Sequence, residues 1–333
     1  MEIGLALPHY DFSIPGENPL RWETLLGTAR RAAELGVDEV YLSDHLFLDV
    51  EKYGGGPGHY GTFEPLVTLA ALACEVERVR LGTLVLCEAL RPAGVLAKTL
   101  ATLDTIAGGR IDVGIGGGWY EPEYEAIGMT LPPPGERLAR TSEAVRILTG
   151  LLGGGPYTLH GKFHTVRDAI AQPASPQQPR PRVFVGGKGD RLLRLVAEEA
   201  DGWNTVWVWT PDAYAERVGV LERACEDAGR DPDSVWRTLG LYTLVGEDEA
   251  DLEARYRRMQ EQAPGGMLDT TSLDQWRQGR LVGTVDEVAA QAAAWREAGV
   301  AQLILCVGPL PFSLTSPDDL EVAVEAVRAG AVT

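Results

Sequence analysis

Residues 110–120 read RIDVGIGGGWY. Ile111, Val113 and Ile115 make a short apolar run of the length of a buried strand, and Gly116, Gly117, Gly118 and the bulky Trp119 follow at once. Three glycines in a row mark a place where the chain takes positive φ or where something approaches the backbone closely. The stretch fails as a G-x-G-x-x-G dinucleotide fingerprint, because Trp119 stands where the third glycine belongs. A tight turn and the close approach of a cofactor are both open readings of Gly116 and Gly117, and core packing and ring stacking are both open for Trp119.

Working outward from that strand, the same rhythm repeats in both directions. Upstream, strand-like runs at residues 3–7, 40–42 and 81–86 alternate with helical patterns at about 19–35, 64–76 and 92–106. Downstream, a helix at about 135–152 leads to a break at 153–181, rich in glycine and proline, which reads as a small hairpin inserted outside the main body. Strands at 183–185, 202–206, 238–245 and 303–307 then resume the alternation, and Thr284 with Glu287 forms a capping box for one of the intervening helices. The segment YGGGPGHYG at 53–61 reads as a mobile loop.

Eight strands separated by helices predict parallel pairing through right-handed crossovers, and eight such units close best as a (β/α)8 TIM barrel. A doubly wound sheet would carry its glycine fingerprint after the first strand, where this chain has ALPHYDF. The expectation is an α/β protein with a single barrel domain over residues 1–333 and an insertion between strands four and five. A chain of 333 residues is long enough to bury such a core.

With 45% hydrophobic and 23% charged residues the composition is globular, and a formal charge of −18 argues against nucleic acid or an anionic membrane as partner. No apolar run is long enough for a membrane span, and the start of the chain has no basic, signal-like region. Cys74, Cys87, Cys225 and Cys306 are widely spaced and read as reduced thiols of a cytoplasmic protein. The five histidines contain no H-E-x-x-H, so no protein-bound metal is expected.

Chemistry in such a barrel sits at the C-terminal strand ends. Here these ends carry His9 and Tyr10, Asp44 and His45, residues 84–88, residues 116–120, residues 186–189 and residues 203–205. Gly186, Gly187, Lys188 and Gly189 precede a helix, so their successive N–H groups and the lysine make an anion site or else a tight turn with a solvated lysine. His45 transfers protons near neutral pH from a strand end, with a structural histidine as the alternative. His160 and His164 fall in the insertion and read as structural.

These stretches resemble the luciferase-like monooxygenase superfamily, in particular its deazaflavin (coenzyme F420) dependent oxidoreductases. The resemblance rests on SDH at 43–45, LGTLVL at 81–86 with RPAGVLAKTLATLD after it, GRIDVGIGGGWYEPEYEAIG at 109–128 and VFVGGKGDRLLRLVAEEADGWN at 183–204. It implies F420 lying across the barrel mouth, with flavin mononucleotide (FMN) as the alternative cofactor. It puts a non-prolyl cis peptide near Leu84 and Val85 behind the ring, His45 as the catalytic residue beside the reacting face, and the phosphate at Gly186, Gly187, Lys188 and Gly189. Asn204 and Thr205 stand near the tail, and Asp44, Gly116, Gly117 and Trp119 join the cofactor contacts. His9, Tyr10 and Tyr120 are assigned to the side of a small-molecule substrate. Some members of the branch carry a glutamate just after strand four as proton donor, where this chain has glycine. The resemblance also implies a homodimer. Three functions follow from these readings: hydride transfer with F420, FMN-dependent monooxygenation with a reductase partner, and a barrel that binds cofactor without turning it over.

Overall fold

Eight parallel strands close on themselves in the computed structural model, which describes residues 1–332. In chain order they are β1 (Glu2–Ala6), β2 (Glu39–Leu42), β3 (Arg80–Thr83), β4 (Ile111–Gly116), β5 (Val183–Gly186), β6 (Gly202–Trp207), β7 (Trp236–Gly246) and β8 (Gln302–Cys306). The ring closes through β8 on β1, where Ile3 faces Leu303, and through β4 on β5, where Val113 faces Val183. The (β/α)8 TIM barrel expected from the alternation is therefore the observed architecture. The break at 153–181 forms an antiparallel hairpin of Tyr157–His160 and Thr165–Ala169, laid against the long helix Pro134–Leu152. Glu143 on that helix receives the hairpin turn: its carboxylate accepts the N–H groups of Lys162, Phe163 and His164 at 2.7–2.8 Å.

Four elements depart from the expectation. The strand read as 81–86 is interrupted at a cis Leu84–Val85 peptide and resumes as Leu86–Cys87, still paired with β4. The glycine-rich stretch 53–61 is not wholly irregular, because Tyr60–Gly61 pairs with Phe47–Leu48. A short helix, Glu121–Ala126, and an extra strand, Leu281–Thr284 beside β7, have no counterpart in the sequence reading.

The barrel interior explains several glycines. Tyr41 and Phe184, both fully buried, project inward with ring centroids 6.4 Å apart. A Cβ at Gly4 or Gly82 would run into the Tyr41 ring, and one at Gly114 into the Phe184 ring. Two large rings in a narrow barrel are accommodated by the absence of side chains on the neighbouring strands.

Below these rings lies a buried charge cluster. Burial pushes the Asp112 carboxyl up, but Arg182 at 2.8 Å and Arg80 at 2.7 Å outweigh it and hold it below the usual range. Glu39 has no such partner. Its Oε2 accepts from Gln302 at 3.1 Å, its Oε1 is orphaned, and burial, then the charge of Asp112, raises its pKa well above the ordinary 4.5. As pH rises past 4.5 the unfolded chain releases this proton and the folded chain keeps it, so stability falls with pH until the folded-state pKa is passed. Glu39→Gln is expected to raise stability at pH 7–8 by ~1–2 kcal/mol and to flatten that slope. A lower melting temperature for the variant at pH 8 than for the parent would contradict this reading of Glu39.

Candidate functional site

A cavity of about 830 Å³ opens at the C-terminal ends of the strands, within the range of small-molecule and cofactor sites. Of the residues singled out in the sequence, Tyr10, Asp44, His45, Leu84, Val85, Gly116, Gly117, Trp119, Gly186, Gly187, Lys188, Asn204 and Thr205 line it. Gly189, His9 and Tyr120 do not.

His45 follows β2 and is held by a residue the sequence reading passed over. Its Nδ1 donates to Glu123 Oε1 at 3.0 Å, while Glu123 Oε2 accepts the Leu46 N–H at 3.0 Å. Glu123 sits on the short helix Glu121–Ala126 and is buried at 1% exposure, so both its oxygens are committed to the His45 segment. Nδ1 carries the shared proton, which leaves Nε2 without a protein partner among the described residues. Trp119 packs edge-on against the imidazole at 5.5 Å between centroids.

Asp44 points away from any such role. Arg91 grips it with Nη1 on Oδ2 at 2.7 Å and Nη2 on Oδ1 at 3.0 Å, and the Cys87 N–H adds a third bond at 2.8 Å. Burial raises its pKa, and the guanidinium works against that shift. The carboxylate that orients His45 is thus Glu123, while the adjacent Asp44 is held by Arg91.

His9 is a correction. It is fully buried behind the cavity wall, with Nδ1 donating to the Leu7 carbonyl at 2.8 Å and Nε2 3.0 Å from Ser43 Oγ. Burial pushes it down to about 3, so it stays neutral and accepts from Ser43. Ser43 in turn accepts the Tyr10 hydroxyl at 2.5 Å. Tyr10, itself buried at 1% exposure, is the end of this chain that lines the cavity, and His9 is its anchor. Tyr120 is the second correction: its ring is buried and its hydroxyl donates to Asp49 Oδ2 at 2.5 Å, outside the cavity.

The two glycine clusters meet at one side chain. A Cβ on Gly116 would lie 3.0 Å from Val85, and one on Gly186 would lie 3.0 Å from it as well. The glycines ending β4 and β5 therefore make room for the Val85 side chain beside the cis peptide. Gly117 is closed over by Arg137, and Gly118, at φ 71°, by Tyr124 and Cys87. What approaches the backbone of RIDVGIGGGWY is thus the protein's own side chains.

At the far end of the cavity Gly187, at φ 144°, and Lys188 lead into the helix Asp190–Glu199, whose N-cap Gly189 supplies no side-chain cap. The Leu192 and Leu193 N–H groups donate back to the Gly189 carbonyl at 2.9 and 3.0 Å, which leaves the N–H groups of Asp190 and Arg191 for an anion. Asn204 accepts the Gly187 N–H at 2.9 Å through its carbonyl, and its side chain donates to Thr238 at 2.9 Å, which fixes this end of the floor.

Comparison with known proteins bears on this arrangement. Residues 1–302 match the family model described as luciferase-like monooxygenase. An F420-dependent glucose-6-phosphate dehydrogenase of Microbacterium testaceum is 34% identical over 206 residues, 61% of this chain and 59% of that protein. The chain thus spans less than two thirds of that relative's length. A pyrimidine monooxygenase of Escherichia coli is 30% identical over 254 residues, 68% of each chain. Among solved structures, an F420-dependent secondary alcohol dehydrogenase in complex with an F420–acetone adduct superposes with a TM-score of 0.75 at 20% identity, covering 98% of this chain and 99% of that one. At that identity the likeness is one of fold.

Proposed function

The chain belongs to the luciferase-like monooxygenase family, and from that premise we propose that it is an F420-dependent oxidoreductase that moves a hydride between a small organic substrate and the deazaflavin. The observation that carries this reading is the His45–Glu123 pair, which holds one ring nitrogen fixed and leaves the other free at the wall of a cofactor-sized cavity.

The residues present fit the cofactor. The uncapped helix start at Gly189 with Lys188 suits its phosphate, Val85 backs the cavity between Gly116 and Gly186 where a flat ring would rest, and Asn204 with Thr205 lies between these ends. When bound, a deazaflavin supplies two-electron hydride chemistry, and the protein supplies orientation and proton handling. On the protein's side, His45 Nε2 takes the proton of a substrate hydroxyl in the oxidative direction or returns it in the reductive one. Glu123 keeps the imidazole in the tautomer with its proton on Nδ1. Tyr10, held through Ser43 by neutral His9, places its ring on the cavity wall with its centroid 6.4 Å from that of His45. Trp119 screens the pair from water. Assembly as a homodimer and a cytoplasmic location belong to the same proposal.

The relatives named for F420 chemistry support this reading, and the pyrimidine monooxygenase relative favours a second one, FMN-dependent oxygenation with a reductase partner. A side-by-side titration separates them. The proposal predicts that F420 binds about ten-fold more tightly than FMN, a difference of about 1.4 kcal/mol. Protein purified yellow with flavin, and tighter binding of FMN than F420, would sink it.

A further inference from the structure

Lys52 is a cation without an anion. Its Nζ lies 3.6 Å from the Trp119 ring centroid and 5.7 Å from that of Tyr53, and it lines the same cavity as His45. Among the described residues no carboxylate oxygen comes within 4.0 Å of it. Asp49 is the one carboxylate whose charge bears on it, and Asp49 is already engaged. Its Oδ2 accepts the Tyr120 hydroxyl at 2.5 Å and its Oδ1 the Glu51 N–H at 3.1 Å.

The segment carrying Lys52 is not a free strand of loop. The N–H groups of Tyr53 and Gly55 both donate to the Val50 carbonyl, at 3.0 and 2.9 Å, and the Gly265 backbone lies so close to the Gly56 amide that a Cβ there would overlap it. The ammonium is therefore presented over the ring that itself abuts His45. Lys52 is still exposed in part, and its partial burial lowers its pKa while the charge of Asp49 works against that shift. The other cations of the cavity differ. Arg280 also has no carboxylate within 4.0 Å among the described residues and its Nε is unpartnered, but its Nη1 donates to the carbonyls of Trp276 and Gln278 at 3.1 and 3.0 Å and it stacks on Trp276 at 4.1 Å, while Lys188 lies beside Gly187. Beside the two rings next to Lys52, the cavity is lined by Leu48 and Met267 among its apolar residues and by Thr271 and Gln275 among its polar ones.

Resting on the oxidoreductase reading, we propose that the substrate is an apolar molecule bearing a carboxylate, and that Lys52 takes this carboxylate one ring away from the atom that reacts beside His45. A carboxylate exchanges a cation–π contact for a charge-assisted hydrogen bond, in a site already partly dried. Lys52 is then the residue that selects acids over neutral analogues of the same shape.

The test uses the full chain and two probes of nearly equal shape, cyclohexanecarboxylate and cyclohexanecarboxamide, titrated by calorimetry and by tryptophan emission. The parent is expected to bind the acid about ten-fold more tightly than the amide, or about 1.4 kcal/mol. Lys52→Met is expected to cut that preference to about two-fold with amide affinity unchanged, and Lys52→Arg to restore most of it. Equal affinities in the parent, no binding of the acid, or an acid preference that survives Lys52→Met overturns the proposal. Each titration is run without cofactor and again with F420. Failure of F420 to bind removes the cofactor reading alone, because the acid and amide comparison on the bare chain still decides the role of Lys52.

Discussion

His45→Ala is expected to fold normally and to lose about 10²–10⁴-fold in kcat, the usual worth of a positioned general acid or base. Among the described residues the imidazole is the one histidine ring on the cavity wall, its Nε2 has no protein partner, and its side chain is 12% exposed, so water is a poor substitute at that position. Glu123→Gln gives the intermediate case. Glu123 receives two donors, His45 Nδ1–H and the Leu46 N–H. A glutamine has one accepting and one donating end, so one of these contacts is lost whichever way the amide turns. The expected loss is about 10–100-fold in kcat with KM little changed, as for a residue that orients its partner without touching substrate. Steady-state kinetics on both variants checks this pair. Full turnover in His45→Ala removes the histidine from the mechanism, and a Glu123→Gln effect confined to KM removes the orienting role.

Gly118→Ala is expected to cost about 2–4 kcal/mol of stability, among the larger effects of any single methyl group in this chain. Gly118 sits at φ 71°, where an alanine is strained, and its Cβ would overlap the Tyr124 hydroxyl and come within 2.8 Å of Cys87 Sγ. Those two atoms are themselves bonded at 2.9 Å, and the Gly118 carbonyl accepts from Arg137 at 2.6 Å, so neither the neighbours nor the backbone can move aside freely. Tyr124→Phe in the same chain removes the overlapping hydroxyl and should recover part of the loss. Chemical denaturation reads both. A Gly118→Ala variant within about 0.5 kcal/mol of the parent contradicts the packing described.

Both predictions turn on what could and could not be seen in the sequence. The barrel was legible because its strands are short apolar runs bounded by glycines and its helices have the 3.6 period, as at Ile111–Gly116 and Ala93–Ile106. Capping chemistry was equally local: Thr284 and Glu287 form the reciprocal box that their spacing implied. Glu123 was not legible, since it lies on a helix of six residues with no measurable period and meets His45 across 78 positions of chain. The fate of His9 also depends on distant contacts. A strand-end histidine looks the same in sequence whether its ring faces the cavity or, as here, backs onto Ser43 from 34 residues away. The glycines of RIDVGIGGGWY mark close approach in the sequence, but the groups that approach are Val85, Arg137, Tyr124 and Cys87, and side-chain packing of that kind has no signature in a one-dimensional pattern.

The central claim is hydride exchange with a deazaflavin at a site where His45 handles the proton. It is tested most directly by mixing the protein with F420 in the strict absence of oxygen, adding carboxylate-bearing secondary alcohols, and following the deazaflavin absorbance in the parent and in His45→Ala. The account predicts a substrate-dependent loss of the oxidised deazaflavin band without oxygen, slowed about 10²-fold or more in the variant. Turnover that requires oxygen and reduced FMN, with no change in the deazaflavin band, would contradict it.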